Sequence, residues 1–408
     1  MNSIDTDRPQ EFKRFWPTVM TGWLGMGLGI GGLFLSTAGV FIDPLTHAFG
    51  WSRVQLSAWP LCMTAGLMLG MPIVGRLADV FGVRSVSLVS IFVFAACVTG
   101  FGFVGGSIWA LYAVIFACAF LGVGTGGVLY SKAVVSRFRA RRGLALGVIA
   151  TGPSVATIFG PKLLQLIVDD EGWRFGIWFI AWAALIALPL AYFFLPPRDT
   201  GLAQGVSLRA YRLAGVARSP FFWILGTSFF LFGMASAGLG FHLIPYLSEN
   251  GLTRSHAVEY AGLLGLASFV GRVVVGFALD RVSVLKFGAL LFLVLCAGLM
   301  LFAGFRAQWA LSGVLLVGLA YGGEFDFMPY CVAHFFGRKS FGALYAYFYW
   351  FASAGVASGP LLVGYVRGAT GAYDSAFGLS AGLAFVGGGL ILFAQRLTPA
   401  PSTASVDA

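Results

Sequence analysis

The sequence predicts an all-α membrane protein of twelve transmembrane helices, arranged as two six-helix halves that share one plan. Three observations predict this fold class. The composition is strongly apolar, hydrophobic runs long enough to cross a bilayer recur along the chain, and short patterns from the first half reappear in the second half.

Composition excludes most soluble proteins. Of the 408 residues, 58% are hydrophobic and only 10% are charged, whereas soluble domains carry roughly 25% charged residues. The five cysteines lie inside apolar runs without metal-ligand spacing, and the four histidines are scattered along the chain. We therefore expect no metal, no cofactor and no integral membrane enzyme, which would need clustered ligands or a nucleophile beside a base.

Hydrophobic runs give the predicted spans. A membrane-spanning helix needs about 20 mostly apolar residues, and twelve such runs are separated by polar breaks. They lie near residues 16–42, 54–76, 85–104, 108–133, 144–168, 175–195, 221–246, 259–280, 286–305, 309–335, 342–366 and 375–395.

Basic residues in the loops predict the orientation. Most lysines and arginines fall on one alternate set of loops and tails, including the run at residues 137–142. Because cytoplasmic loops carry the excess of positive charge, both termini should be cytoplasmic in a multi-pass inner (cell) membrane protein. The net charge of +10 is then explained by topology, and nucleic acid is not an expected partner.

Internal echoes predict two repeated halves. Residues 50–53 (GWSR) resemble 251–254 (GLTR), residues 75–79 (GRLAD) resemble 276–280 (GFALD), and residues 138–146 (FRARRGLAL) resemble 336–344 (FGRKSFGAL). Their order is the same in both halves, which is typical of transporters with two moving halves. We expect an N-terminal half at 1–196, a cytoplasmic linker at 197–219 and a C-terminal half at 220–408.

The chain resembles the major facilitator superfamily over essentially its whole length. Residues 75–84 (GRLADVFGVR) are similar to that family's loop between helices 2 and 3. The resemblance implies a gate in which an acid at a helix end pairs with arginines and closes one face during alternating access. The gating residues would be Arg76, Asp79, Arg84, Arg141, Asp280 and Arg281. The alternative is an ordinary helix end with solvated charges.

Within that superfamily, the chain is most similar to the monocarboxylate and oxalate–formate carriers. Residues 137–147 (RFRARRGLALG) resemble the aromatic–basic signature that opens helix 5 of the monocarboxylate carriers. Two departures stand out. The acidic Gly-Trp signature expected before helix 1 is reduced to Trp16 and Trp23, and its acid is missing. No lysine lies in the first or eleventh segment. The resemblance implies a carrier of a small organic anion, expected to be a monomer.

Arg272 is the strongest candidate for binding that anion. It lies eight residues before Asp280, the end of the eighth segment, or about 12 Å along a helix. A charge this deep in a membrane is costly and is a functional hypothesis by default. A guanidinium stays protonated and its planar edge matches a carboxylate. The alternative is a structural ion pair with Glu324 or Asp326.

Glu324 and Asp326 are candidate proton carriers in the tenth segment. Two residues apart on a helix, they point about 200° away from one another, so one should face the transport path and the other a neighbouring helix. Either would carry a proton, or else both would only compensate the charge of Arg272. Glu324 is also a candidate substrate ligand, and a counter-anion is the alternative to protons as the coupled species.

Other polar residues complete the predicted site. Lys162 is a candidate second cation, Tyr130 and Tyr321 are candidate substrate ligands, and His242 is a candidate proton carrier, although a lone histidine more often packs. Lys132 lies five residues before Arg137, so it either extends to the cytoplasmic surface or serves the path. Two Gly-Pro pairs in the fifth and eleventh segments are candidate hinges, namely Gly152, Pro153, Gly359 and Pro360.

Two other functions have sequence features that this chain lacks. A drug/proton antiporter of the same superfamily should continue the Gly-Pro of helix 5 with two residues and then Gly-Gly. Here Gly152-Pro153 is followed by residues 154–157, SVAT, so that signature is broken. A signalling receptor usually carries an appended soluble domain, and the tails here are short.

Overall fold

The structure is a computed structural model that describes residues 8–56, 58–197, 216, 218–337 and 341–397. The side chains at 8–10, 53–54, 254–255, 258 and 305–307 are not described. Of the predicted linker at 197–219, all but residues 197, 216, 218 and 219 lie outside the described residues. The described part of the chain contains helices and no strand, so the prediction of an all-α protein is confirmed.

The α-helices follow the predicted order of apolar segments. In the N-terminal part they are α1 (Arg8–Leu28), α2 (Ile42–Phe49), α3 (Arg53–Leu56), α4 (Trp59–Phe81), α5 (Val83–Phe101), α6 (Ile108–Gly122), α7 (Gly127–Arg137), α8 (Arg142–Glu171), α9 (Trp173–Leu185) and α10 (Ala187–Phe194). In the C-terminal part they are α11 (Pro220–Glu249), α12 (Arg254–Leu279), α13 (Val284–Phe305), α14 (Ala310–Phe336), α15 (Phe341–Thr370) and α16 (Tyr373–Ala394).

Ten helical segments of the described chain are long and apolar enough to cross a membrane, and a bent pair at Glu11–Phe34 and Ala38–Phe49 would make eleven. The 30-residue α15 is not among them, because its tyrosines, glycines and serines lower its mean hydropathy. The protein is therefore a multi-pass membrane protein. The count of twelve spans stays a prediction.

The described residues form two compact units. The first comprises those within Met1–Ser207 and Arg338–Tyr347, and the second comprises those within Leu208–Gly337 and Phe348–Ala408. Helix α15 thus begins in the first unit and continues in the second. In the first unit α1 packs on α8 and α4 on α6. In the second unit α12 packs on α14 and α13 on α16.

Two spans of the first unit are interrupted, which hydropathy alone does not predict. After α1 the chain forms a π-helix at Ile30–Phe34 and a 3₁₀-helix at Ala38–Phe41, with a 40° bend. A 3₁₀ turn at Val123–Thr125 separates α6 from α7. The two breaks adjoin each other, since the backbone N–H of Ile30 donates to Oγ1 of Thr125 at 3.0 Å.

The two predicted Gly-Pro hinges sit at matched close contacts. A Cβ at Gly152 in α8 would overlap the carbonyl oxygen of Trp23 in α1, and a Cβ at Gly359 in α15 would overlap that of Met234 in α11. Both Pro153 and Pro360 lie inside continuous helices. Glycine therefore permits close backbone approach at both places, while their role as hinges stays a prediction.

Candidate functional site

Arg272 lies inside the second unit on α12. Its side chain is buried, with 9% of the residue exposed. The guanidinium carbon stands 4.7 Å from the centroid of the Phe325 ring on α14, a distance at which a cation is attracted to the face of an aromatic ring. The ring covers one face of the guanidinium and leaves its planar edge for hydrogen bonds.

Small residues bring α12 and α14 close together and so position Arg272. A Cβ at Gly271 would overlap the carbonyl oxygen of Leu319, and one at Gly322 would overlap that of Ser268. Gly318 meets the carbonyl of Leu264 in the same way. In a membrane, where lipid removes the hydrophobic drive to associate, such contacts hold helices together. Gly271 on α12 and Gly322 on α14 therefore let the two helices pack closely beside the charged residues, and α14 is continuous through this region.

Two buried carboxyl groups lie near Arg272 on α14. Glu324 is 5% exposed and Asp326 is 1% exposed. In the described part of the chain, Oε1 of Glu324 and both carboxyl oxygens of Asp326 have no hydrogen-bond partner. Arg272 is close enough to Asp326 to interact with it electrostatically. The cluster therefore combines one permanent cation with two acids able to bind or release a proton.

Tyrosine hydroxyls complete this cluster. Tyr321 packs its ring edge-on to Phe325, with centroids 5.5 Å apart. Both Tyr321 and Tyr349 interact electrostatically with Arg272 and Glu324. Tyr349 was missed by sequence reasoning, because nothing in α15 distinguishes it from its aromatic neighbours. The three aromatic residues are half-buried, whereas the two acids are buried, so ligands would approach past the aromatic side chains.

Two further predicted substrate ligands belong to the first unit. Tyr130 on α7 is fully buried, and its hydroxyl has no hydrogen-bond partner among the described residues. Its ring end lies against Gly25, where a Cβ would overlap the hydroxyl. Lys162 on α8 is exposed. The roles of both residues in binding stay predictions.

His242 bridges three helices of the second unit. Its Nε2 lies 3.1 Å from the carbonyl oxygen of Pro360 on α15, and its Nδ1 lies 3.3 Å from the hydroxyl of Tyr373 on α16. With a proton on Nε2, the ring donates to Pro360 and accepts from Tyr373. This contact joins the predicted proton carrier to one predicted hinge.

Asp79 collects three donors within the first unit. The ammonium of Lys132 lies 2.5 Å from Oδ1, and the backbone N–H groups of Gly342 and Ala343 donate to Oδ1 and Oδ2 at 3.1 and 3.0 Å. Both glycine and alanine lie in the first turn of α15. The predicted gating acid therefore holds the start of that helix, and it does so together with a lysine on α7.

Three of the predicted gating arginines donate to groups other than a carboxylate. Arg76 donates to the hydroxyl of Tyr347 at 2.5 Å, and Arg84 donates twice to the carbonyl of Leu195 at 2.9 and 2.7 Å. Arg281 folds back onto α12 and donates to the carbonyl of Phe277 at 2.9 Å, beside Asp280 at the helix end. Gating by these residues stays a prediction.

Glu11 is a structural acid that sequence reasoning missed. Its carboxylate accepts the backbone N–H groups of Arg139, Ala140 and Arg141, with shortest distances of 2.6, 3.0 and 3.0 Å. Phe12 packs edge-on against Phe138 beside it. The start of α1 therefore caps the loop that carries the aromatic–basic signature.

No group of three or more His, Cys, Asp or Glu side chains that could hold a metal ion occurs in the part of the chain that the structure describes. The polar groups gathered in α12, α14 and α15 are instead a cation, two carboxyls and phenolic hydroxyls. Such a set offers hydrogen-bond donors, hydrogen-bond acceptors and charges, which are the groups that an organic ion requires of a site.

Sequence comparison places these features in a family. Residues 24–340 match the profile of the Major Facilitator Superfamily. Monocarboxylate transporter 10 of Homo sapiens is 24% identical over 408 aligned positions, covering 91% of this chain and 78% of that protein. The MFS-type transporter pytF of Aspergillus terreus is 29% identical over 163 residues, 37% of this chain, and this match spans about half (51%) of that relative.

Structural comparison agrees on the fold. The human organic anion transporter MFSD10 (TETRAN) aligns with a TM-score of 0.71 at 18% identity, covering 93% of this chain and 99% of that one. Identity this low shows the fold alone. The superfamily consists of transporters rather than enzymes. Because the family profile covers most of the chain, the chain belongs to the Major Facilitator Superfamily of multi-pass membrane transporters.

Proposed function

We propose that the protein is a secondary active transporter of a small organic anion, with Arg272 as the group that binds the carboxylate. The observation that carries the proposal is the burial of this arginine within α12, seven residues before Leu279 at the end of the helix, together with its position over the ring of Phe325. An intramembrane charge held in this way is expensive to keep and is expected where it has a function.

The chemistry of the cluster favours a carboxylate. Phe325 occupies one face of the Arg272 guanidinium, so the in-plane N–H groups are the natural contacts for a ligand, and their spacing fits the two oxygens of a carboxylate. Tyr321 and Tyr349, which share the electrostatic environment of Arg272, would donate further hydrogen bonds from their hydroxyls. A cationic substrate would be repelled by the same arginine.

A charge count favours proton coupling. Arg272 contributes one positive charge, and Glu324 and Asp326 each contribute one negative charge when ionised. A bound carboxylate adds another negative charge to a site that is poor in water. If one proton binds an acid together with the substrate, the net charge of the cluster stays constant and the cost of burying the anion falls. Exchange for a second anion would balance charge in a different way and is the alternative coupling.

The comparison with a human monocarboxylate transporter over most of the chain supports the same substrate class. A drug/proton antiporter is the second candidate within the superfamily. It is less favoured because Gly152-Pro153 is followed by SVAT and because a buried arginine opposes cationic drugs.

The proposal extends to the setting of this activity. We propose a monomer in the inner (cell) membrane with both termini in the cytoplasm, in which the halves at 1–196 and 220–408 alternate access to the substrate. The excess of basic residues in one set of loops supports the orientation. The repeated patterns support the two halves.

Uptake of radiolabelled monocarboxylates into proteoliposomes tests the anchor role of Arg272. Arg272→Ala should abolish uptake, while Arg396→Ala, which removes an exposed arginine near the end of the described chain, should leave it unchanged. Thermal melting of both variants checks folding. Full uptake by the Arg272→Ala variant would overturn the proposal.

A thermal-shift screen of the purified protein against mono- and dicarboxylates, with drug-like cations alongside, tests the substrate class. Stabilisation by carboxylates supports an anion carrier. Stabilisation by cations alone would instead support the antiporter.

A further inference from the structure

Three arginines lie close together where helices of the first unit have their ends. Arg14 is near the start of α1, Arg84 is at the start of α5, and Arg137 is the last residue of α7. Arg137 interacts electrostatically with both of the others. These three residues are called the arginine cluster below. The binding of an anion at Arg272, in the second unit, makes no use of them.

Aromatic rings hold the three guanidinium groups in place. The guanidinium carbons of Arg14 and Arg137 lie 5.2 and 5.4 Å from the centroid of the Phe15 ring. The guanidinium carbon of Arg84 lies 6.0 Å from the ring centroid of Tyr192 on α10. Cations are attracted to aromatic rings at these distances. The rings therefore keep three positive charges together although the charges repel one another.

Hydrogen bonds to the protein use only part of the donor capacity of these side chains. Arg84 donates from Nε and Nη2 to the carbonyl oxygen of Leu195, at 2.9 and 2.7 Å. Arg137 donates from Nη1 to Oγ1 of Thr18 at 3.0 Å. Because a guanidinium has five N–H groups, both side chains retain further donors that a ligand can use.

The positive charge of the arginine cluster is not balanced by an acid of the described chain. Within the described residues, the three guanidinium groups contact rings, a hydroxyl and a backbone carbonyl, and none forms an ion pair. Glu11 is the acid of α1, and both its oxygens accept backbone N–H groups of residues 139–141. Like charges repel more strongly where they are partly removed from water, so an anion bound here would be stabilising.

Exposed aromatic side chains indicate that the arginine cluster lies at the level of the lipid head groups. Trp16 on α1 is 54% exposed and Tyr192 on α10 is 57% exposed. Tryptophan and tyrosine concentrate at membrane–water interfaces, where an apolar ring meets lipid and a polar tip meets water. Phe193, next to Tyr192, is exposed as well and can contact acyl chains. The phosphate of a phospholipid is the anion present at this level of a bilayer.

We propose that the arginine cluster binds the phosphate group of an anionic phospholipid from the leaflet at this end of the helices. The planar edge of a guanidinium matches two oxygens of a phosphate, and basic pockets between membrane helices bind anionic head groups. One phosphate between Arg14, Arg84 and Arg137 would link α1, α5 and α7. The site requires neither the anion site at Arg272 nor any particular substrate, so it can be tested without transport.

Lipids that differ only in their head groups test the chemistry of the site. Full-length protein in detergent is titrated with dioleoylphosphatidylglycerol, with dioleoylphosphatidylcholine, and with dioleoylglycerol, which has no phosphate. Native mass spectrometry measures the bound lipid. Phosphatidylglycerol should bind most tightly, and equal affinity for all three lipids would overturn the proposal. Inorganic phosphate is added in a separate thermal-melting series. If it stabilises the protein and phosphatidylglycerol does not bind, the site takes free phosphate, and the proposal of a lipid is overturned.

Substitutions test whether the arginine cluster is the site. Arg14→Gln and Arg137→Gln should each weaken phosphatidylglycerol binding about 5-fold, as expected for one arginine beside an anionic membrane surface. Arg218→Gln removes an exposed arginine just before α11 and should leave the affinity unchanged. Thermal melting of each variant without added lipid checks folding. Because Arg14 is exposed, Arg14→Gln decides the question if Arg137→Gln does not fold. Unchanged affinity in Arg14→Gln, or an equal loss in Arg218→Gln, would overturn the proposal.

Discussion

The guanidinium of Arg272 stands over the ring of Phe325, 4.7 Å from its centroid, inside a unit where the neighbouring acids are buried. This relationship gives the arginine a fixed orientation without using the N–H groups along its edge. A ring that stacks on one face of a guanidinium directs a ligand to its planar edge, whose N–H groups match the two oxygens of a carboxylate.

Replacing Phe325 should weaken anion binding without abolishing it. Phe325→Leu keeps an apolar side chain of similar bulk but removes the aromatic face. The loss of a cation–π contact of about 0.5–2 kcal/mol corresponds to roughly a 2- to 30-fold increase in KM. Uptake kinetics in proteoliposomes measure it. Phe385→Leu on the exposed surface of α16 is the matched control and should leave KM unchanged.

Glu324 should be the acid that carries the coupled proton. Arg272 interacts electrostatically with Asp326, which makes Asp326 the counter-charge of the arginine and leaves Glu324 as the acid for the proton. Glu324→Gln should therefore abolish accumulation driven by a pH gradient while preserving exchange of labelled for unlabelled anion. Both assays use the same proteoliposomes.

Asp326→Asn is the comparison for that prediction. It removes the counter-charge of Arg272 and should lower the melting temperature more than Glu324→Gln does, because a buried arginine then loses its compensation. Gradient-driven accumulation that survives in Glu324→Gln would assign the proton elsewhere or favour anion exchange.

Hydropathy predicted the helices well because each span is one continuous run of apolar residues in the sequence. The run at 286–305, for example, corresponds to α13 at Val284–Phe305. The interruptions near Ile30 and Thr125 were not predictable in this way. Glycine-rich apolar sequence is compatible with α-, π- and 3₁₀-helix alike, and the break in one span is satisfied by a side chain from another.

The sequence predicted those residues of the candidate site that are charged within apolar runs, and it did not predict those whose residue type is common in the same runs. Arg272, Glu324 and Asp326 are conspicuous as charges inside apolar runs. Tyr349 is one aromatic residue among many, and its relation to Arg272 exists only once α12, α14 and α15 are packed. The pairing of Lys132 with Asp79 likewise joins residues far apart in sequence.

Replacing the glycine of either Gly-Pro pair with alanine, as Gly152→Ala or Gly359→Ala, should destabilise the protein. A Cβ at Gly152 or Gly359 would overlap a backbone carbonyl oxygen of the neighbouring helix, which cannot rotate away. Forcing the helices apart should cost about 1–3 kcal/mol and lower the melting temperature in detergent.

Gly240→Ala is the control for that prediction. This glycine lies on α11 with no neighbouring atom within 4 Å of its would-be Cβ, so alanine there should be neutral or slightly stabilising. Equal melting temperatures for Gly152→Ala, Gly359→Ala and Gly240→Ala would contradict the close-packing role.

Glu11 should contribute to stability through the loop before α8. Its carboxylate accepts three successive backbone N–H groups, those of Arg139, Ala140 and Arg141, and hydrogen bonds to an ionised group are stronger than neutral ones. Glu11→Gln keeps the shape but leaves one amide oxygen as acceptor, and should destabilise the protein by about 1–3 kcal/mol. Hydrogen exchange of the backbone amides of residues 139–141 should become faster in the variant. Glu259→Gln, on the exposed surface of α12, is the control and should change neither the exchange at residues 139–141 nor the melting temperature. Unchanged protection at 139–141 in Glu11→Gln would mean that the loop holds its conformation without this acid.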